Sequence, residues 1–240
     1  MQSKELMLRQ VQTAIERDAR IDLQLHAIGI EFHDGTLTLT GRVPDIAVKK
    51  QAARAAAGVA GVAAVVDRLQ VGSGEPTGDG AIRDAVCKML LRDIDFQNCA
   101  IHARASGRRE MLREPRQDSC GDIEIAVADG AVTLSGQVIS LSHKRMAGVL
   151  AWWARGCGDV VNDLAVVPAE EDTDDEVADA LRLVYESDPH VHAEQIGIAS
   201  RGHVVTLDGV VASAGERRRA EFDAWYLFAV TKVINRLEVR

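Results

Sequence analysis

The strongest constraint on this chain is that it repeats itself three times. Asp34-Gly35-Thr36-Leu37-Thr38-Leu39-Thr40-Gly41-Arg42-Val43 recurs as Asp129-Gly130-Ala131-Val132-Thr133-Leu134-Ser135-Gly136-Gln137-Val138. A looser third copy reads Gly202-His203-Val204-Val205-Thr206-Leu207-Asp208-Gly209-Val210-Val211. Counted from the second glycine of each (Gly41, Gly136, Gly209), a basic pair follows eight and nine residues on: Lys49-Lys50, Lys144-Arg145 and Arg217-Arg218. Val65-Val66-Asp67, Val160-Val161-Asn162 and Val233-Ile234-Asn235 then share one register, as do Leu69, Leu164 and Leu237, and Val71, Val166 and Val239. A register kept three times without a gap is the signature of a repeated structural unit.

The unit reads physically. Thr36 to Thr40 alternate apolar and polar with period two, so a strand there has one apolar face. Asp34-Gly35, flanked by such alternation on both sides, predicts a hairpin, and the later glycine is expected to end its second strand. Pro44-Asp45 in copy one and Ser140-Leu141-Ser142 in copy two have the character of helix starts. Gly58 and Gly61, and Gly156 and Gly158, break those helices, and a last valine-rich strand follows. Before each hairpin an apolar stripe predicts another helix: Leu8, Val11 and Ile15; Ile82, Val86 and Met89; Val177, Leu181 and Val184. The expected fold class is α+β. Three tandem αββαβ units each carry a small three-stranded mixed sheet covered by two helices, the helix-linked strands parallel. The expected boundaries are 1–72, 80–168 with an insertion at about 99–121, and 174–240, with linkers at 73–79 and 169–173. Units this small are marginal alone, so contacts between neighbours are expected.

The string Asp129 to Gly136, the Lys144-Arg145 pair and Asp159-Val160-Val161-Asn162-Asp163-Leu164 resemble the BON domain. The resemblance runs through nearly the whole chain, closely in copies one and two. Copy three has Gly202-His203 where the others have Asp-Gly. Gly35, Gly41, Gly130, Gly136 and Gly209 are the fold-defining glycines on this reading. The resemblance implies an αββαβ fold and a non-enzymatic role in bacteria: peripheral binding of anionic phospholipid membranes or cell-envelope components, including in osmotic or envelope stress. Family members are typically periplasmic.

Charge is uneven along the chain. The net charge is −8, with 9 basic against 8 acidic residues in 1–72, 11 against 13 in 73–168, and 8 against 15 in 169–240. The run Glu170-Glu171-Asp172 with Asp174-Asp175-Glu176 reads as a solvated, extended linker. Nucleic acid binding needs a basic footprint that this balance lacks, so no nucleic acid partner is expected. No apolar run spans a bilayer, and the first residues carry Lys4, Glu5 and Arg9 where a secretory signal needs apolar ones. The chain as written is thus expected in the cytoplasm, peripheral to the membrane, with the periplasm as the location the resemblance implies.

Three groups of residues are candidates for contact. The basic pairs (Lys49, Lys50, Lys144, Arg145, Arg217, Arg218) lie in the first turns of the second helices, where the helix N-terminus favours anions such as lipid headgroups. The alternative is that they are solvated or paired with carboxylates. The insertion adds Arg104, Arg108, Arg109, Arg113 and Arg116, as a functional surface loop or a disordered excursion. Trp152-Trp153 and Trp225-Tyr226 share one register and suit packing between units, docking of a partner or second copy, or membrane insertion.

Reactive chemistry is not expected. No Walker loop, G-x-S-x-G elbow, H-E-x-x-H or dinucleotide fingerprint is present, so no catalytic, cofactor-binding or metal residue is assigned and the chain is not read as an enzyme. The four cysteines (Cys87, Cys99, Cys120, Cys157) all fall in copy two. Cys99 and Cys120 bracket the insertion and can lie close in space, but a bridge between them is not expected in a reducing cytoplasm, and the other two read as small buried hydrophobes. The competing functional reading is a soluble intracellular scaffold, or a self-associating interaction module, that binds no lipid.

Overall fold

In a computed structural model, which describes residues 4–17, 20–21, 28–72, 77–115 and 119–240, each repeat runs helix, hairpin, helix, strand. The chain falls into two compact units, Met1–Gly74 and Glu75–Arg240. The expected linker residues 73–76, and Arg116, lie outside the described residues.

The first unit is the plain form of the repeat. α1 (Lys4–Glu16) precedes the hairpin β1 (Gly29–His33) and β2 (Thr36–Val43), followed by α2 (Ile46–Ala57) and β3 (Ala64–Val71). β2 is central, antiparallel to β1 and parallel to β3 with Leu37 opposite Val65. Leu37, Leu39 and Val43, the apolar alternates of β2, are buried against Met7, Val11 and Ile15 of α1 and Val48, Ala52 and Ala56 of α2. The α1 stripe runs through Met7 rather than Leu8, which is only half-buried, because the spacing of four from Val11 and Ile15 picks Met7. Asp45 caps α2 by accepting from the Val48 N–H at 2.9 Å.

The second unit holds copies two and three. Copy two consists of α3 (Asp79–Arg92), β4 (Ala100–Ala105), β5 (Arg108–Arg113), β6 (Gly121–Ala128), β7 (Ala131–Val138), α4 (Leu141–Trp153) and β8 (Asp159–Val166). Copy three has α5 (Asp174–Ser187), a 3₁₀ turn (Ala193–Gln195), β9 (Ile196–Arg201), β10 (Val204–Val211), α6 (Ala214–Tyr226), β11 (Lys232–Asn235) and β12 (Glu238–Val239). β11 and β12 both pair in parallel with β10, so together they make the last strand of the repeat.

Four features depart from the sequence reading. Among the described residues the insertion is built as a hairpin rather than as a loop: β4 and β5 extend the three repeat strands to a five-stranded sheet, β5-β4-β6-β7-β8. Ala100 to Ala103 are all buried, and Ser106-Gly107 makes the turn with left-handed φ values of 50° and 76°. Cys99 and Cys120, expected as separate thiols, are joined by a disulfide that ties the two ends of this hairpin, with Cα atoms 4.8 Å apart. Gly41, Gly136 and Gly209 do not end their strands. They sit inside β2, β7 and β10 with φ of 122°, 117° and 136°. A side chain at Gly136 would overlap the Asp122 carbonyl oxygen, and one at Gly209 that of Gln195. Lastly, the acidic run is held rather than extended: Glu170 accepts from the Leu141 N–H at 2.7 Å, and Asp172 binds Arg145.

The acid that opens each first helix of this unit has a structural task. Asp79 accepts from the Asp129 and Gly130 N–H groups at 3.0 and 2.8 Å, and Asp174 from Gly202 and His203 at 2.7 and 2.9 Å. The hairpin turns are thereby tied to the helix starts. Gly202-His203 thus makes the turn that Asp-Gly makes elsewhere, with His203 at φ 58°.

Candidate functional site

The basic pairs do not form one surface. Lys49 is 5% exposed, and its ammonium donates to the Leu69 carbonyl oxygen at 2.5 Å and pairs with Asp67 at 3.1 Å. Lys50 is half-buried, and its ammonium is pushed down to about 7 by burial and by the Lys49 charge, which makes it a weak anchor for an anion. Arg145 is 1% exposed, bonded to Asp172 and to the Glu176 carbonyl at 3.4 Å, and packed 5.2 Å from the centroid of Phe228. Lys144 is half-buried over the same ring. Lys49 and Arg145 are therefore structural, and their heads are not available to a ligand. Arg217 and Arg218 are exposed on α6, Arg217 also donating to the Asn235 carbonyl at 3.3 Å.

The arginines of the insertion are mostly internal partners. Arg104 pairs with Glu124 at 2.6 Å, and Arg109 with Asp122 at 2.5 Å and Glu124 at 3.2 Å. His102, buried in β4, contacts Asp122 at 3.2 Å. The hairpin thus places cations beside the carboxylates of β6. Arg113 donates to the carbonyls of Leu91 and Phe96, holding β5 to the end of α3. Arg108 is exposed beside the turn.

The aromatic pairs meet each other. Trp152 at the end of α4 stacks on Tyr226 at the end of α6, centroids 5.4 Å apart and planes 11° apart. Trp153 donates its indole N–H to Asp223 at 2.8 Å, and the Arg219 guanidinium lies 5.2 Å from the Trp153 ring. Trp225 is fully buried. Of the three placements weighed for these residues, packing between units is the one observed, at the seam of copies two and three.

Beneath that seam lies a pair of buried acids that the sequence did not reveal. Asp188 and Asp223 have fully buried side chains, with the Arg219 Nε 2.5 Å from Asp188 and 3.7 Å from Asp223. Burial raises Asp223 to about 8, outweighing the Trp153 hydrogen bond and the Arg219 charge. Burial acts on Asp188 in the same direction, but its bonds from Arg219, the His190 N–H and Asp223 hold it below the ordinary carboxylate range. Asp223 Oδ2 is buried with no hydrogen-bond partner, which favours the protonated carboxyl over the carboxylate there, beside Asp188. Tyr185 closes the same core by donating to the Ala220 carbonyl at 2.8 Å.

Copy three also has an open cleft of about 800 Å³ between α5 and the start of β9, lined by Arg182, Tyr185, Glu186, Val191, His192 and Ile196, among others. His192 is tied to Glu216, whose carboxylate accepts from both its backbone N–H (2.9 Å) and its ring (2.8 Å), so His190-x-His192 is not arranged as a chelate. Cys87 and Cys157 are buried thiols pushed up to about 11 and about 12 by burial, and neither is poised as a nucleophile. Among the described residues no three His, Cys, Asp or Glu side chains are grouped as a metal site.

The family model described as the BON domain matches residues 7–73, 102–168 and 173–240. The second match starts inside the inserted hairpin, which separates α3 from the rest of its repeat. Two solved structures of CdsD, a structural protein of the type III secretion system of Chlamydia trachomatis, are similar at 14% identity and a TM-score of 0.24. For the first, the C-terminal domain, the match covers 100% of both chains; for the second it covers 98% of this chain and 92% of that one. No curated protein matches the sequence.

Proposed function

Because this chain belongs to the BON domain family, we propose that it is a non-catalytic binding protein of the cell envelope that meets anionic phospholipid at the membrane periphery. The observation that carries the compartment is the Cys99–Cys120 disulfide, since such bonds persist in oxidising spaces and are rare in reducing cytoplasm. No helix among the described residues is long and apolar enough to cross a membrane, which fits a peripheral contact.

The lipid contact falls on fewer residues than the sequence offered. Arg217 and Arg218 stand side by side in the first turns of α6, and Arg108 is exposed on β5. A basic residue near an anionic surface contributes about 1 kcal/mol, so the two α6 arginines together are worth more than tenfold in affinity. Co-sedimentation with vesicles of phosphatidylcholine and phosphatidylglycerol tests this. Binding is expected at low salt, with loss at high salt and in the Arg217→Ala/Arg218→Ala double variant. A wild-type chain that stays in the supernatant at low salt overturns the lipid reading. Trp225 is fully buried and Trp152, Trp153 and Tyr226 pack within one chain, which leaves the self-associating scaffold only their half-buried outer faces.

A further inference from the structure

The buried acids at the seam are shared unevenly between the two copies. Asp188 at the end of α5, and Arg219 and Asp223 on α6, all belong to copy three. Copy two supplies one group, Trp153 at the end of α4, which donates to Asp223 Oδ1 at 2.8 Å and carries the Arg219 guanidinium against its ring. Part of the cover over Asp223 therefore comes from the neighbouring repeat. The groups that face it are Arg219 from its own helix, Asp188 and Tyr185 from α5, and Trp153 from α4. Glu221 and Tyr226 of α6 stand one step further out, beside Tyr185 and Arg219. Near neutral pH these neighbours keep one charge state. Arg219 is cationic, Asp188 is held below the ordinary carboxylate range by bonds made within copy three, and burial keeps the Tyr185 phenol neutral. Asp223 is the group that titrates there, at about 8.

We propose that Asp223 is a pH-operated latch between copies two and three: its protonated form holds the seam closed, and its ionised form lets α4 part from α6 while each repeat stays folded. A carboxyl that loses its proton beneath Trp153 leaves a second anion beside Asp188, with the Arg219 cation to balance both. When the seam parts, water reaches that anion and the cost of burying it disappears, so ionisation favours the open form. The Trp153 hydrogen bond acts the other way, since an N–H donor prefers the carboxylate, but burial is the larger influence. The proton-bound form is thus the closed one, and closure weakens as pH rises. With Asp223 back in its ordinary range once the seam is open, closure weakens by about a hundredfold between pH 6 and 9. Lys50 titrates in the same window but belongs to the other compact unit. The latch is independent of lipid contact, since Arg217 and Arg218 take no part in it.

The test is carboxyl carbon NMR on the full chain with labelled aspartate, following Asp223 in the wild type and in Trp153→Ala. Loss of the hydrogen bond alone would raise the Asp223 midpoint, whereas loss of the cover lowers it. A midpoint lowered by at least about one pH unit is expected, because proton and seam bias each other reciprocally. An unchanged or raised midpoint would show that copy three buries Asp223 unaided, and would overturn the latch. Calorimetry gives the second measurement. Wild-type copies two and three should melt together at pH 6 and separately at pH 9, while Asp223→Asn melts alike at both. A single wild-type transition at pH 9 overturns the proposal, as does a splitting at pH 9 that persists in Asp223→Asn.

Discussion

At the scale of the residue, burial decides what each charge does. Lys49 and Arg145 are repeat-register cations whose heads are bonded inside the molecule, and the same register in copy three, Arg217 and Arg218, remains exposed. Asp223 carries the clearest consequence. In the unfolded chain its carboxyl ionises near 3.8, in the fold near 8, so between those values only the folded form holds the proton. Stability from this group is full below pH 4. It falls as pH rises from about 4 to 8, by at most about 1.4 kcal/mol per pH unit, and is flat above. Asp188 has the opposite sign: its lowered carboxyl adds stability that is complete above the ordinary carboxylate range. From about pH 5 to 7 the slope therefore belongs to Asp223, and above that Lys50, lowered to about 7, acts with the opposite sign. Urea midpoints across the lower range should fall in the wild type and flatten in Asp223→Asn, which keeps an acceptor for Trp153 and a donor for Asp188 without titrating. Parallel slopes in the two proteins would refute a proton held on Asp223.

At the scale of the element, the two kinds of left-handed glycine separate by what surrounds them. Gly136→Ala combines φ of 117° with overlap on the Asp122 carbonyl, and should cost at least about 3 kcal/mol by chemical denaturation. Gly107 has φ of 76° but open space around it, so Gly107→Asn should cost under about 1 kcal/mol. The turn glycines were legible because Asp-Gly between alternating strands has one common use. The interior glycines were not, since their cause is a carbonyl on the neighbouring strand, and sequence spacing carries no record of that approach. The helix starts at Asp45 and Ser140 were equally legible, being set by local capping. β4 was hidden for another reason. It is buried on both faces, so His102 and Arg104 interrupt an apolar run instead of marking an alternation, and their partners Asp122 and Glu124 lie 20 residues away. Ser106-Gly107 was the one signal that could have revealed the hairpin.

At the scale of the whole molecule, the repeat was visible but its assembly was not. The shared register of Trp152-Trp153 and Trp225-Tyr226 marked the residues of the seam, and inter-unit packing was among the expected uses. Their pairing, and the acids beneath, depend on how two units turn toward each other. Trp152→Ala removes one ring of the stack, about 2–3 kcal/mol with its share of buried surface. In calorimetry the wild-type copies two and three should melt in one transition, and the variant in two. A variant that keeps a single transition would show that the stack does not couple them. The bridge at the base of the inserted hairpin has a topological consequence as well. Arg108 and Arg109 stand between Cys99 and Cys120. A trypsin-type cut at the hairpin tip would thus yield two polypeptides that still migrate together, parting only when a thiol reagent opens the link.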